Sequence, residues 1–202
     1  MKTTALAAEM RTAFAALRPS DIRELAQCGV PQILVDHFQM VGVARIRVQG
    51  ELYEPDPSGA LAVITPVLVQ FPDIPESCRP DVYALIGNIV DLLAWDARVP
   101  QRWAFRVGAA TWLGCIPPQH CDPDPVRIWR SPLNWLRAGC NGLVIVARER
   151  AEAYRLLAGC SGGIIAEDGE HAAELRQALE RPWPAPRVYV GSSGVMEARR
   201  AA

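Results

Sequence analysis

The spacing of hydrophobic residues changes character twice along the chain. Residues 4–17 (TALAAEMRTAFAAL) are rich in Ala and Leu, which favour helix, and Pro19 ends that run. Ser20 is placed to cap a second helix, DIRELAQ (21–27), with Ile22 and Leu25 on one face. Cys28-Gly29 closes it, because glycine accepts the left-handed conformation at a helix C-terminus. Pro31 suits the first turn of a third helix, PQILVDHFQMV (31–41), which Gly42 ends.

From residue 43 the period falls to two. In VARIRVQGELYEP (43–55), Ala44, Ile46 and Val48 alternate with Val43, Arg45, Arg47 and Gln49, and Gly50 predicts a hairpin. The turn signal DPSG (56–59) precedes ALAVITPVLVQF (60–71), a buried strand in which Pro66 must occupy an edge or a bulge. PDIPESCRPD (72–81) has loop composition. VYALIGNIVDLLAWD (82–96) predicts two strands broken near Gly87, and RWAFRVG (102–108) their antiparallel neighbour. The proline-rich CIPPQHCDPDP (115–125) then marks a boundary.

Beyond it, short apolar runs alternate with helical stretches. VRIW, GLVIV, GGIIA and RVYV are the strands; PLNWLRAG, RERAEAYRLLAGC and EDGEHAAELRQALER are the helices between them. Ser131-Pro132 caps and begins the first of these helices. Strands separated by such helices pair in parallel through right-handed crossovers. The predicted class is α+β: a helical hairpin over 1–42, a small, mostly antiparallel sheet over 43–114, an α/β unit over 115–190 and a mobile tail over 191–202.

Composition narrows the function classes. Half of the 202 residues are hydrophobic and 21% are charged, as in an ordinary folded protein, which excludes disorder and fibrous folds. A formal net charge of −1 excludes a globally basic nucleic-acid binder but leaves room for a local basic face. Glu9 and Arg11 interrupt the apolar N-terminus, and no run approaches the roughly 18 apolar residues of a membrane span. A soluble, cytoplasmic protein without membrane partners is expected. In such a compartment the six cysteines are reduced thiols, mostly buried. Cys115, His120 and Cys121 form one odd hook for zinc, with no partner hook to complete a tetrahedral site. The competing account is a loop with an incidental histidine.

Residues 95–137 hold five tryptophans and six arginines against three aspartates. Arginine neutralises phosphate and tryptophan stacks on unpaired bases, so Arg98, Arg102, Arg106, Arg127 and Arg130, together with Arg148 further along the chain, are candidates for contact with a single strand. Arginine also packs on aromatic rings within proteins, and the alternation in RWAFRVG sets Arg102, Ala104 and Arg106 opposite Trp103 and Phe105. The segment 21–42 has the length of a helix-turn-helix, but its second helix carries no Lys or Arg with which to reach phosphates. A buried helical hairpin accounts for it better, and its apolar face could serve an adaptor that binds another protein or a second copy.

The order of elements in 126–190, carried by IWRSPLNWLRAGCNGLVIVARERAEAYRLLAGC, GGIIAEDGEHAAELRQALE and RVYV, resembles the Toprim fold of primases and topoisomerases. The preceding GNIVDLLAWDARVPQRWAFRVGAATWLG looks like the region before that core in primase-like proteins of phages and plasmids. The resemblance implies a strand ending in Glu-Gly and a later strand ending in Asp-x-Asp, which together hold magnesium near nucleic-acid phosphates. Here Ala147-Arg148 stands at the Glu-Gly position, with Glu149 two residues later, and Asp168-x-Glu170 has the spacing of the second motif after Glu167. Glu149, Asp168 and Glu170 are therefore the catalytic candidates, Asp168 and Glu170 the magnesium candidates, and Arg148 adds a cation where the family has none. The resemblance implies a primase-like accessory protein of a phage or mobile element that binds nucleic acid with little or no catalysis. A protein-interaction adaptor and a magnesium-dependent phosphotransfer enzyme are the alternatives. Glu167, Asp168 and Glu170 also have a plain structural use at the positive N-terminus of a helix.

Overall fold

The computed structural model describes residues 2–68, 89–114, 125–147, 150–160, 162–181, 189–192 and 195–198. The predicted strand over 82–87, the loops over 72–81 and 115–124, and residues 148 and 149 lie outside them. No helix among the described residues is long and apolar enough to cross a membrane.

Helices α1 (Lys2–Ala15), α2 (Pro19–Gln27) and α3 (Gln32–Asp36) open the chain. The cap of α2 differs from the sequence expectation. Arg18, not Ser20, is the N-cap, and its N–H donates to the Asp21 carboxylate at 2.9 Å. Ser20 falls inside the first turn. Gly29 takes φ +84° after α2, and Val30 N–H reaches back to the Leu25 carbonyl at 3.0 Å, which satisfies the end of the helix. The third helix is shorter than predicted. It stops at Asp36, and Gln39 adopts φ 49°, which no helix accommodates; Met40 and Val41 are buried beyond its end. Gly42 consequently begins a strand rather than ending a helix. Glycine is needed there because a Cβ would lie 2.6 Å from the Ala13 carbonyl carbon of α1.

Five strands follow: β1 (Gly42–Gln49), β2 (Leu52–Pro55), β3 (Ala60–Leu68), β4 (Ile89–Asp96) and β5 (Val99–Phe105). The hairpin at Gly50 and the turn at 56–59 form where the sequence places them. Pro66 meets the expectation of an edge: β1 pairs with β3 only as far as Ile64, and a register shift follows at Val67/Leu68. The small sheet, however, closes into a barrel in the order β1-β2-β5-β4-β3. Four of its pairings are antiparallel. The last is parallel and minimal, Leu52 opposite Phe105, with Phe105 N–H donating to the Glu51 carbonyl at 2.8 Å.

One barrel face carries Arg45, Arg47 and Leu61, all exposed, and is the outside. The other carries Gly42, Ile46, Ile64 and Ala94 and looks inward. Helix α1 packs across β1, β3 and β4. Glu9 joins it to the barrel by accepting from the Tyr53 hydroxyl at 3.3 Å and from the Arg106 guanidinium at 2.9 Å. Burial and the nearby Glu9 carboxylate push the Tyr53 hydroxyl pKa far up.

The C-terminal unit is a four-stranded sheet in the order β6-β8-β7-β9, formed by β6 (Trp112–Leu113), β7 (Val126–Trp129), β8 (Leu143–Ile145) and β9 (Ile164–Ile165). β7 pairs in parallel with both β8 and β9, and β6 adds an antiparallel edge. Trp112 and Leu113, assigned to the antiparallel region from sequence, thus belong to this sheet. Ser131 caps helix α4 (Pro132–Arg137) as expected, its hydroxyl accepting from Asn134 N–H at 3.2 Å. Helices α5 (Arg150–Ala158) and α6 (Gly169–Glu180) complete the unit. Alternation along β8 serves two cores. Val144 and Val146 join the barrel, α4 and the N-terminal helices, while Leu143 and Ile145 join Ala153, Leu157 and Leu175 beneath α5 and α6. Cys28, Cys140 and Cys160 are half-buried thiols. β10 (Tyr189–Ser192) pairs antiparallel with β11 (Val195–Ala198) in a separate hairpin. This antiparallel partner stands where the sequence predicts a last strand in the parallel sheet.

Candidate functional site

Two regions gather chemistry. The first lies at the carboxyl ends of β7 and β9. The chain leaves β7 into α4, which packs on the barrel side of the sheet, and leaves β9 into α6 on the opposite side. Adjacent strands whose connections diverge in this way open the crevice in which α/β sheets bind ligands. Arg130 follows β7, and Glu167 and Asp168 follow β9. The Arg130 guanidinium reaches Asp168 at 3.0 Å, Glu174 at 3.4 Å and Glu170 at 3.5 Å. Its backbone N–H donates to Glu167 at 2.7 Å, and the Asn134 amide donates to both oxygens of the same carboxylate at 3.1 and 3.2 Å. Burial opposes the Arg130 charge, but the carboxylates of Glu174, Asp168, Glu170 and Glu167 outweigh it and raise the guanidinium pKa.

Asp168 also caps α6, accepting from His171 N–H at 2.7 Å. That hydrogen bond, followed by Arg130, holds the Asp168 carboxyl below its ordinary value. The two predicted magnesium ligands are therefore brought together, but around an internal guanidinium. His171 is 5% exposed, and its Nδ1 accepts from Glu167 N–H at 3.2 Å. Burial, then the Arg130 charge, lowers its pKa against the opposing pull of Glu167, Glu174 and Asp168. Below about pH 6.5 the unfolded chain takes up this proton before the folded one does. Stability is therefore expected to fall with pH from that point down to the depressed folded value. Urea unfolding between about pH 5 and 8 checks this. His171→Gln should flatten the dependence; an unchanged slope would remove His171 as its source.

The second region is the open end of the barrel, opposite α1. A cavity of about 560 Å³ enters here. Its floor is Ile46, Ala62, Ala94 and Ala104, all buried, and its rim includes Val48, Gly50, Glu51, Ala60, Gln101 and Arg102. Four of the five strands contribute, and the inward positions are mostly alanine. The cavity continues past Trp103 of β5 to Val146, Ala147 and Arg150, where β8 ends and α5 begins. Asp96 also borders it, but this carboxylate accepts from the N–H and the guanidinium of Arg98 at 2.9 and 3.3 Å. Arg102 and Arg150 are exposed and form no ion pair with any described residue.

The arginines predicted as one phosphate-binding set therefore have different uses. Arg98 pairs with Asp96, Arg106 with Glu9 and Arg130 with the acids of α6. The Arg127 guanidinium lies 5.3 Å from the centre of the Trp129 ring. Of the described members of the set, Arg102 alone borders the cavity. Arg148, Glu149, Cys115, His120 and Cys121 lie outside the described residues. Among those described, no three His, Cys, Asp or Glu side chains are grouped to hold a metal ion. The contributions of Arg150, Gln101 and Glu51 were not legible from sequence. The small residues at alternate positions of three strands, Ala60 and Ala62, Ala94, and Ala104, were the available sign of an unfilled barrel. No protein-family model matches this chain, and no curated protein or solved structure matches it either.

Proposed function

We propose that this protein binds single-stranded nucleic acid as a non-catalytic, Toprim-related accessory protein of the primase-like kind. The observation that carries the proposal is the convergence of Arg102, Trp103 and Arg150 on one open cavity, with both guanidinium groups free of ion pairs among the described residues. Two cations and a half-exposed indole are the means by which a strand is held without regard to sequence: phosphates on arginine, bases on the ring. The parallel pairing of β8, β7 and β9 supports the Toprim-related part of the proposal. Ala147 follows β8 where that family carries its principal glutamate. Magnesium at Asp168 and Glu170 would have to displace Arg130 from both, which favours binding over phosphoryl chemistry.

A titration with a labelled single-stranded oligonucleotide, followed by tryptophan quenching, tests this. Neutralising two phosphates gives a log-affinity against log-salt slope of about −1.4 for a single strand. Arg102→Ala with Arg150→Ala is expected to weaken binding at low salt at least about tenfold and to flatten that slope. Absence of binding by the parent protein at low salt would remove the proposal.

A further inference from the structure

We propose that the barrel mouth receives a single nucleotide unit, with the base inside the lumen and the phosphate at Arg102 on the rim. This rests on the single-strand proposal above and assigns the pocket within that surface.

Small closed barrels normally fill their interiors with side chains. Here α1 closes one end, where Gly42 lets the helix approach, while alanines at the inward positions of β3, β4 and β5 leave the other end hollow. The cavity as a whole, lumen and outer part together, measures about 560 Å³, within the range of roughly 300–1,000 Å³ typical of small-ligand sites. A flat run of alanine over Ile46 admits a planar ring and contributes no competing polar group. The rim supplies the polar contacts: the Gln101 amide can both donate and accept, as a base edge requires, and Arg102 offers a guanidinium to phosphate. The outer part of the cavity, with Trp103 and Arg150, is then left for the neighbouring nucleotide. A purely apolar ligand would leave Arg102 unused, and an extended backbone alone would leave the lumen empty.

The test uses the full chain and two probes, adenosine and cytidine 5′-monophosphates, against a labelled oligonucleotide. Calorimetry measures nucleotide binding, and displacement of the label measures competition. Ala60→Leu fills the entrance at an exposed position, and Ala94→Val narrows the floor; melting temperatures identify the folded variants. The expected result is that a monophosphate displaces the oligonucleotide and that Ala60→Leu weakens the monophosphate at least tenfold without changing the fold. Binding of the oligonucleotide with no binding of either monophosphate overturns the pocket and leaves the single-strand proposal standing. Monophosphate binding that neither variant weakens also overturns the pocket. Monophosphate binding that Ala60→Leu abolishes, with no oligonucleotide binding, upholds the pocket for a free nucleotide and removes the single-strand proposal.

Discussion

Asp91→Ala is expected to cost about 3–5 kcal/mol of folding stability, the scale seen when a buried charge network loses one member. Asp91 lies in the middle of β4 with no exposed surface. Its Oδ1 accepts from the N–H groups of Leu92, Arg106 and Val107 at 2.8, 3.1 and 2.9 Å. Its Oδ2 accepts from Gly108 and Ala109, both at 2.8 Å. One carboxylate thus folds the chain back after β5 and compensates its own charge with backbone dipoles. Truncation leaves the buried Leu92 N–H and the part-buried N–H groups of Val107, Gly108 and Ala109 without this acceptor, while Arg106 N–H keeps its bond to the Leu92 carbonyl at 2.9 Å; each unsatisfied buried group costs about 1–3 kcal/mol before relaxation. Asp91→Asn keeps the shape but turns one acceptor into a donor facing other donors, so it should also destabilise, by less. Chemical denaturation of the three proteins checks the order. A loss below about 1 kcal/mol for the alanine variant would show that water replaces the carboxylate, and that the turn does not depend on it.

Gly59→Ala is expected to cost about 3 kcal/mol, the upper part of the range for overpacking. Gly59 ends the turn between β2 and β3. Its N–H donates to the Asp56 carbonyl at 2.8 Å, and its carbonyl accepts from Arg45 at 2.9 Å. A Cβ here would run into the Ile46 carbonyl of β1, which is backbone and cannot swing aside. Gly50 provides the contrast. It has φ +65° and open space around it, so Gly50→Ala costs about 1 kcal/mol, from backbone strain alone. A thermal shift several degrees larger for Gly59→Ala than for Gly50→Ala is the expected result. Equal shifts would mean that β1 and β3 separate freely at this turn.

The elements of the C-terminal unit were legible because their signals are local. Ser131-Pro132 and Asp168 announce helix starts, and the short apolar runs between helices leave little choice but parallel pairing, as β7 with β8 and β9 shows. Closure of the barrel was not legible. It depends on Leu52 meeting Phe105, residues remote in sequence whose own surroundings look like ordinary strand ends. The length of the third helix failed for a similar reason: burial of Met40 and Val41 against α1 and the barrel outweighs their helical spacing. Charged residues were the least legible. Arg130 and Arg102 have the same composition around them, yet one is enclosed by carboxylates from a helix some 40 positions away and the other stands at a cavity. Asp91 is the exception: a lone carboxylate in an otherwise apolar strand needs several donors wherever the strand is buried.

The parallel seam between β2 and β5 differs from the rest of the barrel wall. The other four seams of the cylinder are ladders several residues long; this one is a single pair beside Glu51. Glu51 and Phe105 also border the cavity. Parting the wall along this line would break the bond from Phe105 N–H to the Glu51 carbonyl and leave every long ladder intact, which makes this seam the weakest line of the cylinder's pairing. A substitution that weakens the long ladders would therefore act on the cylinder as a whole, whereas one at Leu52 or Phe105 would act first on this seam.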